Sequence, residues 1–449
     1  MFMIITRFAP SPTGNLHIGG LRTALYCYLY ARKNHGKFLL RIEDTDTERN
    51  SQEALDSILE AFKWVELEHD SPMWFQSKRL EIYKSYIQKL LDSNKAYYCY
   101  LSKEELENER QKTKNLKDFT RKYRDFTGTP PSGVQPVVRL KAPLSGNVEF
   151  IDGIKGKITI NASELDDFVI ARSDGTPTYN FVVTIDDALS EISDVIRGDD
   201  HVSNTPKQIL IYNALGFKVP KFYHVPMICN EAGAKLSKRD GALSVLEYRD
   251  AGILKEALLN FLFRLGFSHG DQEIFSMEEM LEVFDPSEIN NSASACNFSK
   301  LMWLNAHYIK QKSTKELLSL LKLDLKDSAQ TECLFEALKS RANTLNDFKL
   351  GIETILEKPN YDEKMDSKVS PLALKDLSLV EGFNFESLES IKDALHNLKL
   401  DYKIGLFMQA LRCALLGKPG GIDLGECLFI LGRDESLNRI KTYLETKNI

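Results

Sequence analysis

No stretch of this chain approaches the ~20 consecutive apolar residues that a membrane-spanning helix requires. The N-terminus has no signal-peptide pattern either, because Arg7 interrupts a very short apolar run. Cysteine is scarce and scattered: seven residues, at positions 27, 99, 229, 296, 333, 413 and 427, with no C-x-x-C pair. That excludes a disulfide frame and points to reduced thiols in a soluble, cytosolic protein. Internal repeats and low-complexity tracts are missing. So is a strong charge of one sign, since 58 Lys+Arg stand against 64 Asp+Glu for a net charge of −6. Wholesale coating of nucleic acid is thereby excluded, and any RNA partner has to be met by local basic patches.

What is present is ordinary for a globular protein: 43% hydrophobic and 27% charged residues over 449 positions, enough for about two to four domains. The stretch Ile4 to Asp46 organises the rest. A short apolar run (Ile4 to Phe8) leads into a loop with Pro10, Ser11, Pro12, Thr13 and Gly14, then His17, Gly19 and Gly20. Leu21, Leu25, Tyr28 and Leu29 recur at helical spacing, and Lys37 to Glu43 reads as a buried strand. The order predicts one βαβ unit. Glycines at a strand-to-helix turn let backbone approach a phosphate, and the helix start offers free N–H groups to it. Three glycines at G-x-G-x-x-G spacing are absent, and no Gly-Lys-Ser/Thr follows, so neither the dinucleotide fingerprint nor a Walker loop is present.

Further on, periodicity predicts helices over Ser51 to Phe62 and Arg79 to Leu91. A charged helix starts at Ser102, with Glu105 in capping-box position. Lys117 to Arg124 is a basic run with Phe119 and Tyr123 interleaved: a solvated face or an RNA contact. VVRLKAP, NVEFIDG and KGKITI read as short strands. DFVIARSDGTPTYNFVVTIDD reads as a hairpin turned at Ser173, Asp174 and Gly175. Thr205 to Leu215 is predicted helical, FYHVPMI a returning strand, and Asn230 to Gly233 a turn before KLSKR (Lys235 to Arg239). Leu254, Leu258, Phe261, Leu262 and Leu265 share a helical face; INNSAS (Ile289 to Ser294) is linker-like. From about Lys312 onward only amphipathic helices are expected, with one loop at Gly417 to Gly421.

HIGG (His17 to Gly20) resembles the His-Ile-Gly-His signature of class I aminoacyl-tRNA synthetases, with Gly20 in the last place. KLSKR resembles their Lys-Met-Ser-Lys-Ser signature. The flanking TRFAPSPTG and RIEDTD resemble the glutamyl-tRNA synthetase family, and the resemblance covers essentially the whole chain. It implies an α/β fold: a Rossmann-like nucleotide-binding domain split by a connecting insertion, then an all-α C-terminal region. The implied divisions are 1–80 and 177–234 for the two catalytic halves and 81–176 for an insertion that holds the tRNA acceptor end. The KLSKR loop and stem-contact helices take 235–311, and helical anticodon binding takes 312–449.

The same resemblance implies roles. Attack of a carboxylate on the α-phosphate of ATP piles negative charge on the phosphates, so catalysis needs positioning and mobile cations more than a protein nucleophile. Lys235 and Lys238 would meet the β and γ phosphates and His17 the α-phosphate. Pro10, Thr13, Gly14, Gly19, Gly20, Asp200, His201, Leu236, Ser237 and Arg239 would complete the ATP site, with Mg2+ on the triphosphate. Arg7 would clamp the glutamate side chain in a bidentate fork, with Ser11 and Tyr179 nearby. Glu43 would meet the substrate ammonium group, and Arg197 would be the second arginine on the amino acid. Some family members hold zinc through C-x-C and C-x-H pairs; here Cys99 is followed two places on by Leu101, so no zinc is expected. The implied partners are L-glutamate, ATP and tRNA, in a monomer. Glutamate tRNA and glutamine tRNA both stay open as the RNA. Competing readings are a single-domain nucleotidyltransferase, which the helices after Lys312 oppose, and a paralogue glutamylating tRNA queuosine, which lacks an anticodon-binding domain. A non-catalytic RNA-binding descendant is opposed by intact Arg7, His17, Glu43, Arg197 and Lys238.

Overall fold

A computed structural model describes residues 3–46, 48–112, 117–234, 236, 243–361 and 369–447. The chain forms two compact units, residues 1–248 with 259–297 and residues 249–258 with 298–449.

The first unit is built on the expected βαβ element. Strand β1 (Ile5–Phe8) pairs in parallel with β2 (Lys37–Ile42), and helix α1 (Ile18–Lys33) crosses between them. Five of the six β2 residues are buried, as expected of a parallel strand covered on both faces. The return into β2 requires glycine, because a Cβ on Gly36 would lie 2.0 Å from the Ile4 carbonyl oxygen. Cys27, on the buried face of α1, brings its Sγ to the carbonyls of Arg7 (3.3 Å) and Ile196 (3.5 Å). Helix α2 (Gln52–Val65) runs past Phe62 and is capped by Ser51, whose Oγ accepts from the Ala54 N–H at 3.1 Å. Strand β3 (Trp74–Phe75) adds in parallel to β2, and α3 (Leu80–Asp92) buries Tyr83, Ile87 and Leu90 while Leu80 stays exposed.

Strands β4 (Ala96–Cys99), β5 (Val137–Leu140) and β8 (Val169–Ala171) form an antiparallel sheet. Helix α4 (Lys103–Lys112) opens with the predicted capping box: Ser102 N–H donates to Glu105 Oε2 (2.8 Å) and Glu105 N–H to Ser102 Oγ (3.0 Å). The basic run, opened by α5 (Lys117–Thr120), turns partly inward. Tyr123 is buried beside Tyr97, Cys99 and Leu101, and Arg124 donates to Asp167 at 2.6 Å. Strands β6 (Asn147–Asp152) and β7 (Gly156–Asn161) form an antiparallel pair on the edge of another sheet, of order β7-β6-β10-β9, where β9 is Asp194–Gly198 and β10 is Lys221–Val225.

The predicted hairpin at Ser173 to Gly175 is corrected. The turn forms, with Gly175 at φ 81° and Asp174 Oδ1 accepting from the Thr176 N–H at 2.8 Å, but its second arm is helix α6 (Tyr179–Leu189). Val182, Val183, Thr184 and Ile185 favour a strand by propensity. The helix wins because it delivers Asp186 and Asp187 together into the interior. There Asp186 accepts from Arg79, Gln76 and Tyr83 at 2.8–3.0 Å.

Strand β9 (Asp194–Gly198), helix α7 (Thr205–Leu215) and strand β10 (Lys221–Val225) make a second parallel crossover. Ser193 joins the two halves: its N–H donates to the Ile5 carbonyl (3.0 Å) and its Oγ accepts from the Ile5 N–H (2.8 Å). FYHVPMI is divided, since Ile228–Cys229 is a separate strand β11 paired with β12 (Ser294–Ala295). The linker-like INNSAS is therefore tied down, and Ile289 is buried.

Among its described residues, the regular elements of the second unit are all helices. Its helices include Phe298–Gln311, Thr314–Leu321, Ala329–Lys339, Leu345–Leu356, Ile404–Leu416 and Leu424–Thr446, the last broken at Gly432. Phe335, Phe348, Phe407 and Leu411 are fully buried in it. Gly417 takes the left-handed cap that ends Ile404–Leu416. No helix among the described residues is long and apolar enough to cross a membrane.

Candidate active site

The C-terminal ends of β1, β2, β9 and β10 and the start of α1 surround a cavity of about 400 Å³. Its lining includes Arg7, His17, Gly19, Gly20, Glu43, Tyr179, Arg197, Asp200, His201 and Leu236. Open parallel sheets bind ligands at this edge, where two crossovers diverge. His17 is the extended N-cap residue of α1, and its carbonyl accepts from the Leu21 N–H at 3.0 Å. Gly19 and Gly20 form the first turn behind it.

Pro10, Ser11, Thr13 and Gly14 lie outside the cavity lining. Ser11, Thr13 and Gly14 are exposed, while the Pro10 carbonyl accepts from the Glu43 N–H at 2.9 Å. The loop thus braces the end of β2. Lys235, Ser237, Lys238 and Arg239 lie outside the described residues.

Arg7 is buried, and its guanidinium is already engaged. Nε and Nη2 donate to the two carboxylate oxygens of Asp187 at 3.1 and 3.2 Å. The fork expected for the substrate therefore closes on the protein itself, and Nη1 is left outside that pair. The same Asp187 accepts from Arg41 Nη1 at 2.6 Å, and Arg41 Nη2 reaches Glu43 Oε1 at 3.1 Å. Four buried charges alternate in sign along this chain. Burial alone would raise Asp187; the guanidiniums of Arg7 and Arg41 overcome it and hold the carboxyl below its usual range. Glu43 goes the other way, because burial outweighs its arginine neighbours.

Arg197 is different. Its Nε donates to His224 Nε2 (3.1 Å) and its Nη2 to Thr205 Oγ1 (2.8 Å), while buried Nη1 has no hydrogen-bond partner. Among the described residues no carboxylate lies within ion-pair distance of it, and burial pulls its pKa below the ordinary arginine value. Tyr179 Oη stands 3.3 Å from His201 Nδ1, and burial with nearby Arg197 lowers the pKa of His201.

Sequence reasoning missed Arg41, Asp187, Arg22 and His224. Arg41 and Asp187 left a signal: an arginine inside an otherwise apolar strand, and a double acid at the end of an apolar run. Arg22 donates to the backbone carbonyls of Leu265 (2.6 Å) and Pro226 and forms part of the cavity wall. Among the described residues no three His, Cys, Asp or Glu converge as a metal site, and Cys99 is buried with its Sγ 3.9 Å from the Thr120 carbonyl.

A cavity of about 400 Å³ at a helix start, beside an unneutralised arginine and a buried carboxylate, has room and charge for a zwitterionic acid next to a nucleotide. Comparison with known proteins agrees. Residues 3–303 match the catalytic domain of the class I tRNA synthetases (E and Q), and residues 303–444 match an anticodon binding domain. The chain belongs to the class I aminoacyl-tRNA synthetases for glutamate and glutamine, and it is a ligase.

Its full-length relatives narrow the class to one member. The glutamate–tRNA ligase 1 of Helicobacter hepaticus is 57% identical, with 100% of both chains covered. The glutamate–tRNA ligase 2 of a Nitratiruptor species is 58% identical over 99% of each. A solved glutamate tRNA ligase of Elizabethkingia meningosepticum, in complex with its amino acid, superposes with a TM-score of 0.90. It is 31% identical, and the match covers 99% of this chain and 100% of that one.

Proposed function

We infer that the chain is a glutamate–tRNA ligase, joining L-glutamate to ATP as glutamyl-adenylate in this cavity and then passing glutamate to the 3′ end of a tRNA. The unneutralised, buried Nη1 of Arg197 carries the reading. A buried cation without a counter-ion is costly, and the side-chain carboxylate of glutamate supplies the missing charge. Arg7 contributes from the neighbouring strand through Nη1, so the carboxylate is shared between two arginines, and Glu43 receives the ammonium group. Tyr179 closes the amino-acid side.

ATP enters as its magnesium complex at the start of α1. There His17 donates to the α-phosphate, and Gly19 and Gly20 allow close backbone approach. Asp200 and His201 flank the nucleotide. Lys235 and Lys238 meet the charge that grows on pyrophosphate in the transition state. No protein nucleophile is required, because the substrate carboxylate attacks phosphorus itself. Residues 81–176 receive the tRNA acceptor end, 235–311 its stem, and the helices from 312 the anticodon, in a cytoplasmic monomer.

Glutamine tests the reading. It matches glutamate in size but replaces an acceptor oxygen with N–H donors, which would face the arginines unpaired. Sites built on such a contact discriminate by ~10⁴ or more. Aminoacylation with labelled glutamate and glutamine should show no glutamine activation by wild type. Glutamate activation should fall severely in Arg7→Ala, and Arg7→Lys should restore only part. An Arg7→Ala enzyme that keeps full glutamate preference would remove Arg7 from side-chain recognition.

A further inference from the structure

Arg197 is held from behind by groups that carry no net positive charge only in one protonation state. An arginine Nε–H can donate and cannot accept. Its partner at 3.1 Å, Nε2 of His224, must therefore be the unprotonated ring nitrogen, and it also accepts from the Thr205 hydroxyl, likewise 3.1 Å away, whose oxygen in turn accepts from Arg197 Nη2. The ring proton then sits on Nδ1, which lies 2.6 Å from Asp152 Oδ2 and donates to it. The side chains of His224 and Asp152 are both fully buried, at 0% exposure. An imidazolium here would place its Nε2–H against the Arg197 Nε–H. Burial and the arginine's charge both disfavour that form, and the His224 pKa lies below the usual histidine value even with Asp152 in contact.

Asp152 cannot turn away. Its second oxygen, Oδ1, accepts from the backbone N–H groups of Ile154 (2.9 Å), Lys155 (2.8 Å) and His224 (3.4 Å). It ends β6, which meets β10 in parallel at Phe222 and Asp152, two residues before His224. A three-step chain thus runs from the edge of the sheet to the cavity: a locked carboxylate, a fixed imidazole tautomer, an oriented guanidinium.

We propose that Asp152 and His224 are positioning residues for amino-acid selection: the carboxylate fixes the imidazole tautomer that lets His224 Nε2 hold Arg197 with Nη1 facing the substrate carboxylate. This rests on the reading of Arg197 as a glutamate ligand. It differs from a buried ion pair that merely stabilises the fold, because such a pair would not depend on which ring nitrogen carries the proton.

Three substitutions separate these cases. In Asp152→Asn, Oδ1 stays on its backbone donors, so the new amide nitrogen takes the place of Oδ2 and donates to Nδ1. The ring proton is forced to Nε2, which can then donate to Thr205 Oγ1 but can no longer accept from Arg197; an aspartate-to-asparagine change that traps the wrong histidine tautomer is known to disable serine proteases this way. His224→Asn keeps a donor near Nδ1 and loses the acceptor for Arg197. His224→Gln restores an acceptor near Nε2.

The expected result in steady-state aminoacylation is a glutamate KM raised about 10–100-fold in D152N and H224N, the worth of one charged hydrogen bond. The KM for ATP should stay within about threefold of wild type, and H224Q should recover most of the glutamate KM. Nitrogen-15 NMR, with the His224 signals assigned by their loss in H224Q, should place the proton on Nδ1 in wild type and on Nε2 in D152N. Equal damage in H224Q and H224N, or an Nε2 proton in wild type, would overturn the proposal. The NMR arm on wild type decides even where a variant fails to fold. Arg197→Met is the control for the underlying reading: an unchanged glutamate KM there sinks the role of Arg197, whatever the tautomer proves to be.

Discussion

Arg7 and Arg197 stand on neighbouring strands at one edge of the same cavity, yet the protein treats them in opposite ways. Arg7 is welded to Asp187, which also holds Arg41, and the positive and negative groups alternate. Arg197 leans on an imidazole and a hydroxyl and keeps one buried N–H group without a partner. Arg7 thus serves the wall and has only Nη1 left for a ligand, whereas Arg197 has no carboxylate of its own. A cation whose charge is already answered inside the protein builds the wall. A cation left unanswered is ready for a ligand and costs the folded state something to keep.

The largest expected effect on stability is at Arg41. Arg41→Met strips a partner from three buried carboxylates, Asp187, Glu43 and, at 4.0 Å, Asp186. Breaking buried pairs in this one-sided manner typically costs about 3–5 kcal/mol, visible as a lower urea midpoint. A loss below about 1 kcal/mol would mean the chain of charges is not what holds this wall.

Arg197→Met should sharpen the contrast. It removes a buried charge with no counter-ion, so the folded state should hold its stability to within about 1 kcal/mol or gain some, while glutamate activation collapses. Destabilisation as deep as that of Arg41→Met would erase the distinction between the two walls.

The smallest effect is on pH dependence, and the two walls should fail in different windows. His224 is held below the ordinary 6.5, so its contribution is complete above that value and is lost as pH falls through the lowered pKa. Asp187 is held below the ordinary 3.8, so its contribution is present above about pH 4 and is lost only on further acidification. Glu43, held above 4.5, has the opposite sign, since its protonation favours the native state. Urea midpoints against pH should show the upper limb in wild type and not in H224Q. Identical profiles would place the protonation elsewhere.

Much of the site could be read from residue order alone. The turn at His17 to Gly20, the periodic face of α1 and Glu43 at a strand end follow from local patterns, while Arg197 is legible only through the family resemblance. What local patterns could not show is who answers whom. Arg41 looks like a blemish in an apolar strand until Asp187, 146 residues away, comes to meet it. The run from Tyr179 to Asp187 has strand-like propensity and becomes helix because two acids need burial against arginines far off in sequence. Ser11, Thr13 and Gly14 carry the chemistry of a phosphate loop, and that the Pro10 carbonyl ties this loop to Glu43 at the end of β2 could not be read locally. Asp152 gave no hint of any partner, since His224 lies 72 residues further on.

Cys27 also lies between the two walls, its sulfur directed at the carbonyls of Arg7 and Ile196. Burial raises its pKa to about 12, so it stays a protonated thiol across the working range and attacks nothing. That silence makes it a clock. Reagent can modify Cys27 only while the strands bearing the arginines are parted, so its labelling rate, read after the more accessible Cys333, measures how often that junction opens. A bound substrate that bridges the arginines should slow this clock without touching the sulfur.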